Sequence, residues 1–211
     1  MGASPPAMDK ALPRCTERAA ASGPLLMRAL QIEDRDTAAL FDGLLAARIY
    51  EKGETLLRQG EIWKQAFLIE QGLVRMHVVR GDGKEFNKNF HAEGALIFPL
   101  THEMESQASL FAISALERTV AWQARVEDFR TALSAQGMWE PLRARLLAGL
   151  VTQKLQREHD LLVLDGGARY RQLCASQPSL AARIPLFQLA SFLGLTDVSL
   201  SRIRRRIKAG R

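Results

Sequence analysis

The 211-residue sequence predicts an α+β protein with an N-terminal β-roll of jelly-roll type, a long helix and a C-terminal helix-turn-helix domain. Three observations predict it. Between Arg48 and Ala124, short segments rich in β-branched and aromatic residues alternate with glycines, the pattern of short strands joined by tight turns. From about Glu140 to Leu164, leucines recur at helical spacing over about seven turns. Between Ile184 and Lys208, an apolar helix, a glycine break and a basic helix follow one another closely.

Taken in order, residues 1–23 hold Pro5, Pro6, Pro13 and Gly23 with little apolar periodicity and read as a loose tail. Residues 24–47 read as short amphipathic helices, the second starting at Asp36 or Thr37. Strands are expected at Ala66–Glu70, Leu73–Arg80, Glu85–His91, Ala112–Leu116 and Thr119–Gln123. Gly81-Asp82-Gly83 is the clearest hairpin tip, since positive φ costs little at both glycines and is tolerated at the aspartate. After Val126 the helical period returns, with Glu127 and Asp128 in a first turn. The roll domain is therefore assigned to residues 24–138 and the long helix to 139–164.

The stripe on that long helix runs through Leu142, Leu146, Leu150 or Val151, Leu155 and Leu162. It is longer than the roll beside it needs, which predicts a partner helix from a second subunit, with Leu142, Leu146, Leu150 and Leu155 at the contact. The alternative is packing against its own domain alone. Asp165, Gly166 and Gly167 predict a hinge, leaving 168–211 as the terminal domain.

In that domain, Ala190 is small enough for close helix packing, and Gly194 suits the positive φ of a sharp turn. Leu189, Leu193, Leu195, Leu200 and Ile203 supply the inner face, with Ile207 continuing it at helical spacing. Ser199, Ser201, Arg202, Arg205 and Arg206 are left on other faces, as hydroxyls and guanidinium forks suited to phosphates and guanine edges. A helix of this kind enters the major groove of DNA.

Charge supports the same reading. The net charge is +6, and Arg202, Arg204, Arg205, Arg206, Lys208 and Arg211 follow Ser201 with no acid among them. Removing these six from 29 cations leaves 23 against 23 acids, so residues 1–201 are neutral. A terminal cluster fits a local phosphate contact better than a membrane-surface coat. Cys15 and Cys174 are too few and too distant for a disulfide framework or a four-cysteine metal site, which favours a reducing, cytoplasmic setting. The sequence has neither an apolar run long enough to span a bilayer nor a signal-peptide core at its start, so no membrane partner is expected.

The order of these elements resembles the Crp/Fnr family of bacterial regulators, named for the cyclic-AMP receptor protein and the fumarate-nitrate regulator. The pieces that carry the resemblance are Y-E-K-G-E-T-L-L-R-Q-G-E at Tyr50–Glu61, L-I-E-Q-G-L-V-R at Leu68–Arg75, A-L-E-R-T-V-A-W at Ala115–Trp122, and the helix-turn-helix from Ile184 to Arg204. Together they cover about residues 24–208. The resemblance implies a homodimer whose sensor roll, of cyclic-nucleotide-binding type, accepts a signal and whose terminal helices bind a palindromic operator, with RNA polymerase as a further partner.

Departures from the family pattern bear on the signal. Members that bind cyclic nucleotides hold the phosphate with a Gly-Glu pair and an Arg-Ser pair. Here Gly94 precedes Ala95, and Ser109-Leu110 fall where Arg-Ser would stand. Without the guanidinium, a buried phosphate loses a charged bidentate partner, at a cost of roughly 3 kcal/mol or more. Cyclic AMP in the usual mode is therefore not expected, and no cofactor is predicted; an unidentified small-molecule effector or a constitutive regulator remain the readings. The segment from Phe98 to Met104 occupies the region of the family's ligand cassette, which makes Phe98, Leu100, Ser109 and Leu110 the candidate effector residues. Cys15 alone holds no iron-sulfur cluster. His77, His91, His102 and Cys15 are the residues a haem would use, though lone histidines read first as surface or satisfied residues. The family's β-hairpin wing is not expected, because the sequence ends four residues after Ile207.

The DNA-binding helix is expected to start at Thr196, with Asp197, Val198, Ser199 and Ser201 facing base edges and Arg202 reading a guanine or anchoring a phosphate. Arg204, Arg205, Arg206 and Lys208 are expected at phosphates. By the resemblance Arg202 matches the family's common arginine contact, and Asp197-Val198 replace the Arg-Glu pair of the cyclic-AMP type, which predicts a different operator. An enzymatic or purely small-molecule-binding roll is the competing class. It has little support, since the histidines are widely spaced, His102-Glu103 lacks the second histidine of a zinc motif, and no metal site or nucleophile setting is evident.

Overall fold

The computed structural model describes residues 19–31, 41 and 43–209. Among the described residues, eight strands form two antiparallel four-stranded sheets: β1 (Ala46–Tyr50), β2 (Thr55–Leu57), β3 (Gln65–Gln71), β4 (Val74–Val79), β5 (Glu85–His91), β6 (Leu96–Ile97), β7 (Ala112–Ala115) and β8 (Thr119–Arg125). One sheet has the order β1-β8-β3-β6 and the other β2-β7-β4-β5. The five strands expected from sequence are all present. The three others, β1, β2 and β6, are short or largely exposed and carry little periodic signal.

The period of two along β3 explains how the first sheet is buried on both faces. Phe67 and Ile69 enter the interior of the roll with Tyr50, Val74, Met76 and Ile113. Ala66 and Leu68 turn to the opposite side, where Leu26, Phe98, Trp122, Phe129 and Leu142 form a second core beneath helices. At the β4–β5 hairpin, Val79 pairs with Glu85, and of the three tip residues only Gly83 takes a positive φ, of 81°. Asp82 instead accepts the Lys84 N–H at 3.2 Å.

The helices around the roll are α1 (Ala19–Leu30), α2 (His102–Ser106), α3 (Val126–Ala135) and α4 (Trp139–Val163). α1 starts within the segment read as a tail, because Leu26 and Leu30 are buried against the second core. The start expected at Asp36 or Thr37, Cys15 and the prolines of the tail lie outside the described residues.

α4 corrects the expected dimer stripe. Leu142 is buried in the chain's own core, Leu146 packs against it, Leu150 is half-buried, and Leu155 alone of the four is exposed, at 62%. Steps of four residues advance around a helix by about 40° and the step of five from Leu150 to Leu155 by about 140°, so this spacing walks off any fixed face. The outward face carries a different set, Ala144, Ala148, Val151, Leu155 and Leu162, of which the last three are well exposed. Their spacing of four, three, four and seven is that of a heptad seam.

Candidate nucleic-acid interface

Four helices follow α4: α5 (Gly166–Ser176), α6 (Pro178–Arg183), α7 (Leu186–Leu193) and α8 (Asp197–Lys208). The expected hinge is compact. Leu164 and Asp165 separate two helices, and Asp165 caps α5 by accepting the Ala168 N–H at 2.7 Å. A Cβ on Gly166 would stand 2.6 Å from a Leu195 methyl, so glycine lets the start of α5 lie against the turn between α7 and α8.

The local signals at that turn act as expected. Gly194 sits at φ 69° and ψ 34°, and its N–H and that of Leu195 return to carbonyls of α7. Thr196 is extended and caps α8, its hydroxyl oxygen accepting the Ser199 N–H at 3.2 Å. Leu189, Ala190, Leu193 and Leu200 close a cluster with Leu173 and Ile184. Ile203 is only half-buried and Ile207 is 37% exposed, so the inner face expected along α8 ends at Leu200.

The residues proposed for base and phosphate contact lie along one free element. Thr196, Asp197, Val198, Arg202, Arg205 and Arg206 are on its open side, Ser199 and Ser201 are half-buried, and Lys208 closes the helix. Among the described residues, none of these arginines is in a salt bridge. Arg204 differs, being half-buried beside Tyr170.

α7 has the opposite setting. Its Gln188 is buried against the roll, where its side-chain oxygen accepts from Arg75 Nη1 at 3.0 Å and its backbone carbonyl accepts from Asn87 Nδ2 at 2.9 Å. Arg75 also pairs with Glu85, and the Asn87 N–H donates to Ser191 Oγ at 3.1 Å. Beside this network, burial and then the Arg75 charge lower the pKa of His77, whose Nδ1 has no partner. Arg183 of α6 makes a second tie to the roll, with both nitrogens 2.8 Å from the Glu93 carboxylate and Nη2 also bonded to Glu117. That guanidinium holds Glu93 at a pKa of about 2. Glu93 also accepts the Gly72 N–H at 2.8 Å. Gly72, at φ 105°, lies against Thr119 where a Cβ would meet backbone at 2.7 Å. Sequence reading missed Arg75, Asn87 and Gln188; the available signal was an arginine and a histidine alternating with apolar residues in V-R-M-H-V.

The expected effector residues separate. Phe98 is buried between Phe129 and Trp139, with ring centroids 5.8 and 5.5 Å away, and Leu100 packs on the same core. These two are therefore core residues, drawn there by the aromatic cluster under α3 and α4. Ser109 and Leu110 do line a hollow at α2, with Trp63, Glu103, Met104 and Phe111. Its volume is about 120 Å³, below the roughly 300–1,000 Å³ of ordinary ligand pockets. Its lining has no cation, and Ser109 spends its hydroxyl on the Phe111 carbonyl at 2.8 Å. The histidines are dispersed: His102 is exposed, while His77 and His91 sit on different strands. Among the described residues no group of three or more His, Cys, Asp or Glu could hold a metal ion, and no helix is long and apolar enough to cross a membrane.

Among known proteins, residues 47–136 match the family model described as the cyclic nucleotide-binding domain, a span from β1 to the end of α3. The transcriptional activator protein FnrA of Stutzerimonas stutzeri is 36% identical over 76 residues, which are 36% of this chain and 30% of that protein. The chain thus matches less than a third of this curated relative's length. The solved structure of FixK2 from Bradyrhizobium japonicum superposes with a TM-score of 0.70 at 16% identity, covering 79% of this chain and 86% of that one. CLP from Xanthomonas campestris, a c-di-GMP responsive global regulator, superposes with a TM-score of 0.67 at 16% identity, covering 84% and 93%.

Proposed function

This chain carries a cyclic nucleotide-binding domain set in the Crp/Fnr architecture, and on that premise we propose that it is a homodimeric, sequence-specific DNA-binding transcription regulator. The family resemblance read from the sequence holds. The observation that carries the proposal is the free, basic α8, presented from a Thr196 cap while α7 is held on the roll. The N-terminal turn of α8 enters the major groove with Asp197, Val198 and Ser199 toward base edges and Arg202 at a guanine or phosphate. Arg205, Arg206 and Lys208 serve phosphates. Residues 24–138 act as the sensor, 139–164 as the dimer helix and 168–211 as the DNA-binding domain.

Two copies pair through the outward seam of α4, Ala144, Ala148, Val151, Leu155 and Leu162. This places two copies of α8 for a palindromic operator with half-sites roughly 34–36 Å apart. The protein acts in the cytoplasm, with RNA polymerase as a further partner, and has no catalytic role. Its signal is not a cyclic nucleotide in the usual mode, because the hollow at Ser109 and Leu110 is small and lacks a cation. The test compares Arg202→Ala with Arg206→Ala on an operator selected from random DNA. The first changes base preference at one position in each half-site; the second weakens all sequences alike. Unchanged base preference in Arg202→Ala removes the base-reading role.

A further inference from the structure

A second hollow, of about 720 Å³, opens between β5, the C-terminal half of α4, α5 and α7. Its size lies within the ordinary range for ligand sites. Four cations line it: Lys88 from β5, Lys154 and Arg157 from α4, and Arg169 from α5. Asp160 is the one acid in the lining, so four cations less one acid leave an excess of three. Asp160 is already engaged by the side-chain amides of Gln156 and Gln172, at 2.7 and 3.1 Å.

Among the described residues none of the four cations has a carboxylate within 4.0 Å. Lys88 rests its ammonium 4.2 Å from the centre of the Phe111 ring and 3.6 Å from the Met76 sulfur. Burial, and then the charges of Lys154 and Arg157, lower its pKa to about 8. Arg157 donates to the Phe192 carbonyl at 2.8 Å, and Arg169 to the Leu193 carbonyl at 3.1 Å, which anchors both guanidiniums at the end of α7. These are neutral partners, and the charges remain uncompensated. His91 also lines the hollow, and its Nε2 is buried without a hydrogen-bond partner. Lys88, Arg157 and Arg169 are partly buried cations with no counter-charge beside an unsatisfied imidazole, which is costly unless an anion completes them.

The hollow lies on a different face of α4 from the outward seam. At 3.6 residues per turn, Leu150, Lys154, Arg157 and Leu161 share one face of α4, about 120° around the helix from the seam of Ala144, Ala148, Val151, Leu155 and Leu162. Nearer the start of the helix Leu142 and Leu146 are covered by the chain's own core.

We propose that this cleft is a binding site for a phosphorylated small molecule of at least two negative charges, held jointly by the roll, α4 and the DNA-binding helices. A single carboxylate would leave most of the excess charge unmatched, whereas a phosphate group carries about −1.5 to −2 at neutral pH and accepts several hydrogen bonds. The apolar flank of Leu150, Leu161, Phe90 and Phe192 gives an organic body a place beside the charged part. The site goes beyond the DNA-binding reading and is tested without DNA.

The experiment is calorimetric titration of the full chain with pyrophosphate and, separately, with ATP, alongside Lys154→Glu and Lys88→Gln. Lys154 is exposed, so its variant folds, which thermal unfolding verifies. Both probes are expected to bind the unaltered chain, ATP more tightly because of its organic part. Each variant is expected to weaken binding by at least about tenfold. The His91 imidazole resonances are expected to shift on saturation. Absence of binding by both probes overturns the proposal, as does Lys154→Glu binding both as well as the unaltered chain, or binding that leaves His91 unmoved.

Discussion

The two helices of the helix-turn-helix share a turn and a core yet meet opposite surroundings. α7 places a buried glutamine into a polar network on the roll, so its bonds there join residues about a hundred positions apart. α8 is anchored by one buried leucine, Leu200, and presents Arg202, Arg205 and Arg206 to solvent. The two helices therefore differ in what holds them: α7 is tied to the roll by Gln188, whereas Asp197, Val198 and these three arginines of α8 lie open to solvent. α7 is bonded to β4 and β5 through Arg75 and Asn87.

The largest effect expected on this contrast comes from removing the anchor. Leu200→Ala should destabilise the chain by about 2–5 kcal/mol in urea denaturation, the range for a cavity left at a fully buried leucine. Gln188→Ala comes next. It strips the partner from buried Arg75 and Asn87 and should cost about 1–3 kcal/mol in the same measurement. Arg202→Ala should leave stability within about 0.5 kcal/mol, yet lower discrimination at one base pair per half-site by about 1–3 kcal/mol in competition binding. Arg206→Ala should weaken all sequences alike and lower the salt slope of binding by about 1 for each phosphate it no longer neutralises.

The tie at Arg183 sharpens the α7 side through its pH dependence. Glu93 has a folded pKa of about 2 against an ordinary 4.5, so between these values the unfolded chain binds more protons than the folded one. The stability it contributes is therefore fully present above about pH 4.5 and is lost as pH falls toward 2. Glu93→Gln should lose less stability than the unaltered chain over that interval. His91 acts in the same direction at higher pH. Burial lowers its pKa from 6.5 to about 4, so the unfolded state takes up protons first as pH falls from 6.5 to 4. The full window is worth on the order of 3 kcal/mol, and His91→Gln should flatten it in denaturation series at about pH 7 and pH 4.

Legibility in the sequence follows the same division. The turn of α7 and α8 was legible because Gly194, Thr196 and the leucine spacing act on their immediate neighbours. Strands β3, β4, β5, β7 and β8 were legible through their period of two and their glycines. The network of Arg75, Asn87 and Gln188 was not, since it exists only once β4, β5 and α7 are brought together by the fold. The same holds for the basic cleft, whose four cations come from three elements. Phe98 and Leu100 were misread because residues of a ligand cassette and residues of a core have the same composition, and only the position of Phe129 and Trp139 decides between them. On α4 the leucines at four-residue steps suggested one stripe, but the helix divides them between its own core and the outward seam.

The central claim is that α8 reads DNA sequence. Its most direct test is selection of bound duplexes from a random pool by the full chain, run in parallel with Arg202→Ala. The account predicts enrichment of a palindrome with half-sites about one helical turn apart, and loss of preference at one position per half-site in the variant. No enriched sequence, or an identical motif from both proteins, would contradict it.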